Sequence, residues 1–123
     1  MNQSAGSILV VDDDIDNVAN LSDILDDLGY HPYRAHDGTS ALGLVDSQKF
    51  DVAIVDYMMP EMNGAELVAE IYKRQPATKP IIVTGYADEQ QIANESNRSN
   101  LVILRKPVDI KKLLKQIEDS IKR

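Results

Sequence analysis

The sequence predicts a doubly wound α/β fold, a parallel five-stranded sheet covered by helices on both faces, and three observations predict it. Short apolar runs recur along the chain, Ile8-Leu9-Val10-Val11, Val52-Ala53-Ile54-Val55, Ile81-Ile82-Val83 and Leu101-Val102-Ile103-Leu104, and such runs suit strands buried on both faces. Between them the apolar residues recur in steps of three and four, the spacing of an amphipathic helix. Strand and helix alternate without interruption, and right-handed crossovers leave few other topologies for that order.

The first strand, residues 8–11, runs straight into Asp12, Asp13 and Asp14. Ile15, Val18, Leu21, Ile24, Leu25 and Leu28 then form one stripe of a first helix, closed by Gly29. Residues 31–35 read as a weaker second strand, and Pro32 near its start suits an edge position. Asp37 or Thr39 can cap a second helix carrying Ala41, Leu42, Leu44 and Val45. The third strand, residues 52–55, ends in the carboxylate of Asp56, followed by a turn with Pro60 and Gly64. A third helix carries Leu67, Val68 and Ile71 and must stop before Pro76, because the residue preceding a proline avoids the helical region.

Pro80 opens the fourth strand, which ends at Thr84-Gly85. Residues 88–97 are polar almost all round, with Ile92 and Ala93 as the main apolar anchors, so a short and weakly held fourth helix is expected there. The fifth strand ends at Arg105-Lys106-Pro107. Asp109 can begin the last helix, whose stripe is Ile110, Leu113, Leu114, Ile117 and Ile121, and Lys122 and Arg123 at its end suit the helix dipole.

At 123 residues the chain fits one domain, residues 1–123, with residues 1–6 as a flexible start and no effector domain following. The absence of cysteine excludes disulfides, thiolate catalysis and thiolate metal sites, which leaves oxygen chemistry. A net charge of −7 argues against direct contact with nucleic acid or an anionic membrane, since phosphate contacts need a clustered basic face. No apolar run approaches the ~20 residues of a membrane span and no signal peptide is legible, so a cytoplasmic location is expected.

In a sheet of this kind all strand carboxyl ends emerge on one edge, where open α/β sheets carry their chemistry. That edge collects Asp12, Asp13, Asp56, Thr84 and Lys106 from four strands. Taken singly, Asp56 reads as a turn residue, Thr84 as a strand end, Lys106 as a solvated charge and the aspartates as a helix cap; together they form a constellation. Clustered carboxylates repel one another and raise their pKa values unless a cation offsets the charge. With no cysteine or histidine beside them, their oxygens favour a hard ion, Mg²⁺ first and Mn²⁺ as a substitute. His31 and His36 read as surface residues. A carboxylate beside Mg²⁺ and a lysine is equipped to attack phosphorus, with Lys106 and Thr84 on the phosphoryl oxygens and the small Gly85 leaving room.

The motifs VVDDD (residues 10–14), VDYMMPEMNG (55–64), VTGYAD (83–88) and LRKPVD (104–109) occur in one order and span nearly the whole chain. In these the sequence resembles the receiver domains of two-component response regulators, including stand-alone chemotaxis-type regulators and the receivers of hybrid histidine kinases. The resemblance implies the flavodoxin-like (βα)5 fold with strand order 2-1-3-4-5 and Asp56 as phosphoacceptor. It implies that Asp13, Asp56 and the backbone carbonyl of Met58 ligate Mg²⁺, with Asp12 acting through water. It further implies Thr84 and Lys106 as contacts of the phosphoryl group and a cis Lys106–Pro107 peptide bond. A sensor histidine kinase or histidine phosphotransfer protein is the implied donor, docking near Ile15 and Pro107. A downstream protein is the implied target; the thin apolar anchoring of the fourth helix makes it, with the fifth strand and fifth helix, the expected output face.

One position departs from the family. Members often carry Tyr or Phe three residues before the lysine, a ring that turns inward as the threonine moves; here that residue is Ile103. Tyr86 could supply a ring near the same surface, or be an ordinary half-exposed tyrosine. Three other readings stand beside the receiver. A flavodoxin-like electron carrier shares the topology, but Asp12 to Asp14 would repel FMN phosphate. A small Mg²⁺-dependent phosphohydrolase wants a second acid two residues after the nucleophile, where this chain has Met58. An unphosphorylated pseudo-receiver used for binding alone would not need all five site residues.

Overall fold

The computed structural model describes residues 6–85, 88–98 and 101–121. Ten elements follow in strict alternation: β1 (Ser7–Val11), α1 (Ile15–Asp27), β2 (His31–Ala35), α2 (Gly38–Ser47), β3 (Val52–Asp56), α3 (Gly64–Arg74), β4 (Lys79–Thr84), α4 (Glu89–Ser96), β5 (Val102–Arg105) and α5 (Ile110–Ile121). All strand pairs are parallel, in the order β2-β1-β3-β4-β5. The proline-bearing β2 is therefore an edge strand, as its composition predicts, and Pro32 loses no interior ladder bond.

Alternation along the strands splits the core in two. Ile8, Val10, Val52, Ile54, Ile81 and Val83 face α1 and α5, where Val18, Leu25, Leu113 and Ile117 meet them. Leu9, Val11, Ala53, Val55, Tyr57 and Ile82 face α2, α3 and α4, meeting Ala41, Val45, Leu67, Val68, Ile71 and Ile92. Every residue of β3 is buried, which is why that strand reads as unbroken apolar sequence. Each large side chain so buried contributes about 1.5–3 kcal/mol of transfer free energy.

The caps place the helices. Asp14 starts α1 by accepting from Asp16 N and Asn17 N, Asp37 starts α2, and Asp88 starts α4 by accepting from Gln91 N. Asp109 accepts from the backbone N–H groups of Lys111 and Lys112 at the start of α5. Lys122 and Arg123 lie outside the described residues. Helix α4 ends at Asn97 in the left-handed region, φ 59°, a conformation asparagine tolerates better than most residues. Ile15 does not join the α1 stripe: it is 66% exposed beside the strand carboxyl ends.

At the opposite edge of the sheet one side chain does much of the joining. Gln75 Nε2 donates to the carbonyls of Val45 (2.7 Å) and Gln48 (2.6 Å), while its Oε1 accepts from Phe50 N and Thr78 Oγ1. It thereby satisfies the backbone of the turn that feeds β3.

Candidate functional site

The register of the sheet brings the site together. Val11 pairs with Val55, so Asp12 and Asp56 emerge side by side; Asp56 pairs with Val83, and Thr84 with Arg105, so Thr84 and Lys106 follow on the next two strands. The exits are fixed by backbone bonds from Asp12 N to Ala35 O (3.2 Å) and from Lys106 N to Thr84 O (2.9 Å). One carboxylate oxygen from each of Asp12, Asp13 and Asp56 lies within 4.8 Å of the others. Asp56 is buried, 5% exposed; Asp12 is half-buried and Asp13 is exposed.

Lys106 Nζ stands 3.1 Å from Asp56 Oδ1, yet this buried oxygen accepts no aligned hydrogen bond. The contact is one of charge. Burial drives the Asp56 carboxyl up to about 6; Lys106 pulls it down and the neighbouring Asp12 pushes it up. Burial works against the ammonium of Lys106, but Asp56, Asp12 and Asp13 outweigh it and the group ends above its ordinary value. One amine thus balances three carboxylates only in part. An all-oxygen donor set from Asp12, Asp13 and Asp56, its charge only partly offset, fits a hard divalent cation.

The turn after β3 is tightly sewn. Gly64 N donates to Tyr57 O at 2.8 Å, and a Cβ at position 64 would stand 2.5 Å from Asp56 O and 2.8 Å from Tyr57 Cα. Only glycine fits that approach. Asn63 caps α3 in a reciprocal box with Glu66. Glu61, φ 69°, turns the chain, and Met58 is 62% exposed.

The remaining sequence candidates fall as follows. Thr84 is fully buried and lies on the α4 face, by alternation with Ile82 and Val83. Gly85 is exposed, and a Cβ there would meet no described atom within 4 Å, so space alone does not demand glycine. The Lys106–Pro107 bond is cis. Ile103 packs inward against the core shared by Tyr57 and Ile92. Tyr86 lies outside the described residues. His31 and His36 are exposed, in keeping with a surface role.

Two features of the site escaped the sequence reading. A cavity of about 350 Å³ opens at Asp56 and runs between α1 and α5, lined by Asp12, Asn17, Leu21, Ile54, Lys106 and Val108 among others. Beside it, on the other face, Tyr57 Oη donates to Glu95 Oε1 of α4 at 2.5 Å. The polar run that predicts α4 gives no sign that Glu95 meets a partner 38 residues away.

The family model for the response regulator receiver domain matches residues 8–118. A response regulator receiver protein of Anaeromyxobacter sp. (strain Fw109-5) is 34% identical over 106 residues, 86% of this chain and 44% of that protein; the chain thus spans less than half the length of this curated relative. The CheY-like receiver domain protein of Methanospirillum hungatei JF-1 superposes with a TM-score of 0.83 at 30% identity, covering 94% of this chain and 92% of that one. A Burkholderia pseudomallei response regulator, solved with a phosphorylated aspartic acid, calcium ion and citrate, superposes with a TM-score of 0.76 at 28% identity, covering 88% and 64%. By sequence and by fold, this chain belongs to the receiver domains of two-component response regulators.

Proposed function

We propose that Asp56 is the phosphoacceptor of this receiver domain, and the observation that carries the assignment is its buried carboxylate, ion-paired with Lys106 and clustered with Asp12 and Asp13. The Asp56 carboxylate attacks the phosphorus of a phosphohistidine; a P–O bond forms, the P–N bond breaks, and the imidazole leaves with the electron pair. Lys106 neutralises charge on the phosphoryl oxygens and Thr84 supplies a hydroxyl to one of them. Receiver domains generally bind Mg²⁺ at an acidic pocket, and here Asp13, Asp56 and the Met58 carbonyl would hold it, with Asp12 acting through water. Bound there, the ion offsets carboxylate repulsion and developing phosphoryl charge. Hydrolysis by water at phosphorus returns the free carboxylate.

Receiver domains work between histidine kinases and downstream effectors. The donor here is a sensor kinase or histidine phosphotransfer protein, and exposed Ile15 and Pro107 at the rim of the site offer it an apolar foothold. The output is the face built from α4, β5 and α5, read by a protein target in the cytoplasm. The solved relative with a phosphorylated aspartic acid and a calcium ion supports both the modification and the cation. Met58, an apolar side chain where a phosphohydrolase needs an acid, weighs against steady turnover.

Incubation with acetyl phosphate and Mg²⁺ followed by intact mass tests the assignment. Wild type gains a phosphoryl adduct that chelation of Mg²⁺ prevents, and Asp56→Asn gains none. An equal adduct on Asp56→Asn would overturn it.

A further inference from the structure

One carboxylate of α4 reaches both ends of the phosphorylation turn. Glu95 Oε1 accepts from Tyr57 Oη (2.5 Å) and from Asn63 Nδ2 (3.4 Å), while Gln91 Nε2 reaches Oε2 (3.4 Å). Tyr57 directly follows Asp56, and Asn63 caps α3 at the far end of the phosphorylation turn. Both ends of that turn therefore meet on one residue of α4.

We propose that the Tyr57–Glu95 hydrogen bond is a latch that holds α4 in its resting position and that phosphorylation of Asp56 releases it. The inference rests on the assignment of Asp56 above and names how that site is regulated. Tyr57 is built for such a role. Its N–H donates to Val83 O (2.9 Å), its carbonyl accepts from Gly64 N, and its ring is buried at 5% exposure. With the backbone fixed and only two side-chain torsions, the hydroxyl sits where the end of β3 places it. An O–H···O⁻ hydrogen bond is charge-assisted and directional, so it weakens when its donor is displaced.

The trigger is adjacent. Asp56 and Val83 are in register, so Tyr57 and Thr84, one residue further on each strand, stand side by side on the α4 face. Thr84 is fully buried there, and drawing its hydroxyl toward a phosphoryl group on Asp56 moves the ring's immediate neighbour. Ile103 packs into the same core from β5. In place of the aromatic group that the family often carries at that position, this chain has a ring just past the end of β3 in the same core.

The receiving element is easily moved. Ile92 and Ser96 are its buried residues. Among the described residues, its polar ties to other elements include the exposed Glu89–Arg105 pair at 3.9 Å and the Arg98 guanidinium 4.7 Å from the Tyr72 ring centre, just past its end. Such exposed pairs hold little, so loss of the Glu95 bond leaves α4 held to the core chiefly through Ile92 and its packing on α3.

The test compares wild type, Tyr57→Phe, Glu95→Ala and the double variant in the full chain, with and without Mg²⁺ and beryllium fluoride, by hydrogen exchange of the α4 amides. Tyr57→Phe removes one oxygen and keeps the ring, so the core remains filled. At rest, α4 exchanges about five-fold faster in each single variant, the value of one net hydrogen bond, and no faster in the double. Acetyl phosphate modifies the variants about five-fold faster, because the released form is already populated. Glu95→Gln, which keeps an acceptor, falls between. Beryllium fluoride raises wild-type exchange to the variants' level and closes the gap. Additive effects in the double variant, or a gap that survives beryllium fluoride while intact mass reports phosphoryl uptake, would overturn the latch. If wild type takes up no phosphoryl group, the Asp56 assignment fails and the latch's regulatory role with it.

Discussion

Asp56 and Lys106 face each other at 3.1 Å without an aligned hydrogen bond between them. Two opposite charges this close normally align when their geometry is free to do so. Here Asp56 is fixed by a strand whose every residue is buried, and Lys106 follows from a strand two positions away in the sheet. The ammonium is already in contact with the carboxylate, so on the proposed chemistry it stands ready to shift onto a phosphoryl oxygen.

Stability without Mg²⁺ should depend on pH in a direction set by Asp56. Its folded-state value, raised to about 6, lies above the ~3.9 of an unfolded aspartate. The native state therefore holds a proton that the unfolded state has released, and stability falls as pH rises from about 4 to about 6, then levels off. Asp56→Asn removes that penalty. In chelator it should be about 2 kcal/mol more stable than wild type at pH 7, with the gain vanishing near pH 4. Urea melts at the two pH values measure this, and a constant gain would contradict it.

Adding Mg²⁺ should raise the wild-type melting temperature and leave Asp56→Asn and Asp13→Asn nearly unmoved, because the ion binds the native carboxylates only. A tenfold excess over the dissociation constant is worth about 1.4 kcal/mol. Thermal melts across a Mg²⁺ series decide it.

Lys106→Ala takes away the cation that partly offsets three carboxylates. The Lys106 side chain is 37% exposed, so solvent already screens its charge and the loss of stability at pH 7 should be only about 1 kcal/mol. Phosphoryl uptake should fall far more than that, by at least tenfold, since the charge acts on the transferring group. Rates from intact mass set against denaturant melts separate the two.

Gly64→Ala and Gln75→Ala form a contrasting pair. A Cβ at Gly64 would press on the carbonyl of Asp56 at 2.5 Å, costing about 2–3 kcal/mol and displacing the phosphorylation turn. Gln75→Ala strips the partners from the Val45, Gln48 and Phe50 backbone groups and should cost about 1–3 kcal/mol. It lies at the opposite edge of the sheet, so the rate of phosphoryl uptake should hold while stability drops. Slowed uptake in both would sink the distinction.

The fold was legible in the sequence because parallel strands and amphipathic helices announce themselves through two different periods. Asp56, Asp12, Asp13, Thr84 and Lys106 were legible for a related reason: each sits where an apolar run stops, and a parallel sheet brings such stops to one edge. Side-chain contacts across elements were not legible. Glu95 reaches Tyr57 and Asn63 over 38 and 32 residues, and Gln75 collects partners from α2 and the turn before β3; neither has a periodic signature. Ile15 shows the complementary limit, since helical spacing counts it into a buried stripe although it lies in the first turn, past the edge of the sheet. Boundaries moved by a residue, as at β5, predicted over residues 101–104 and found at Val102–Arg105.

The central claim is that the carboxylate of Asp56 becomes an acyl phosphate. Borohydride reduces such a group to the alcohol, so treatment of the acetyl-phosphate-modified chain followed by peptide mass mapping reads the position directly. The account predicts homoserine at position 56, dependent on Mg²⁺; homoserine at position 12 or 13 instead, or none anywhere in a chain that carries the adduct, would contradict it.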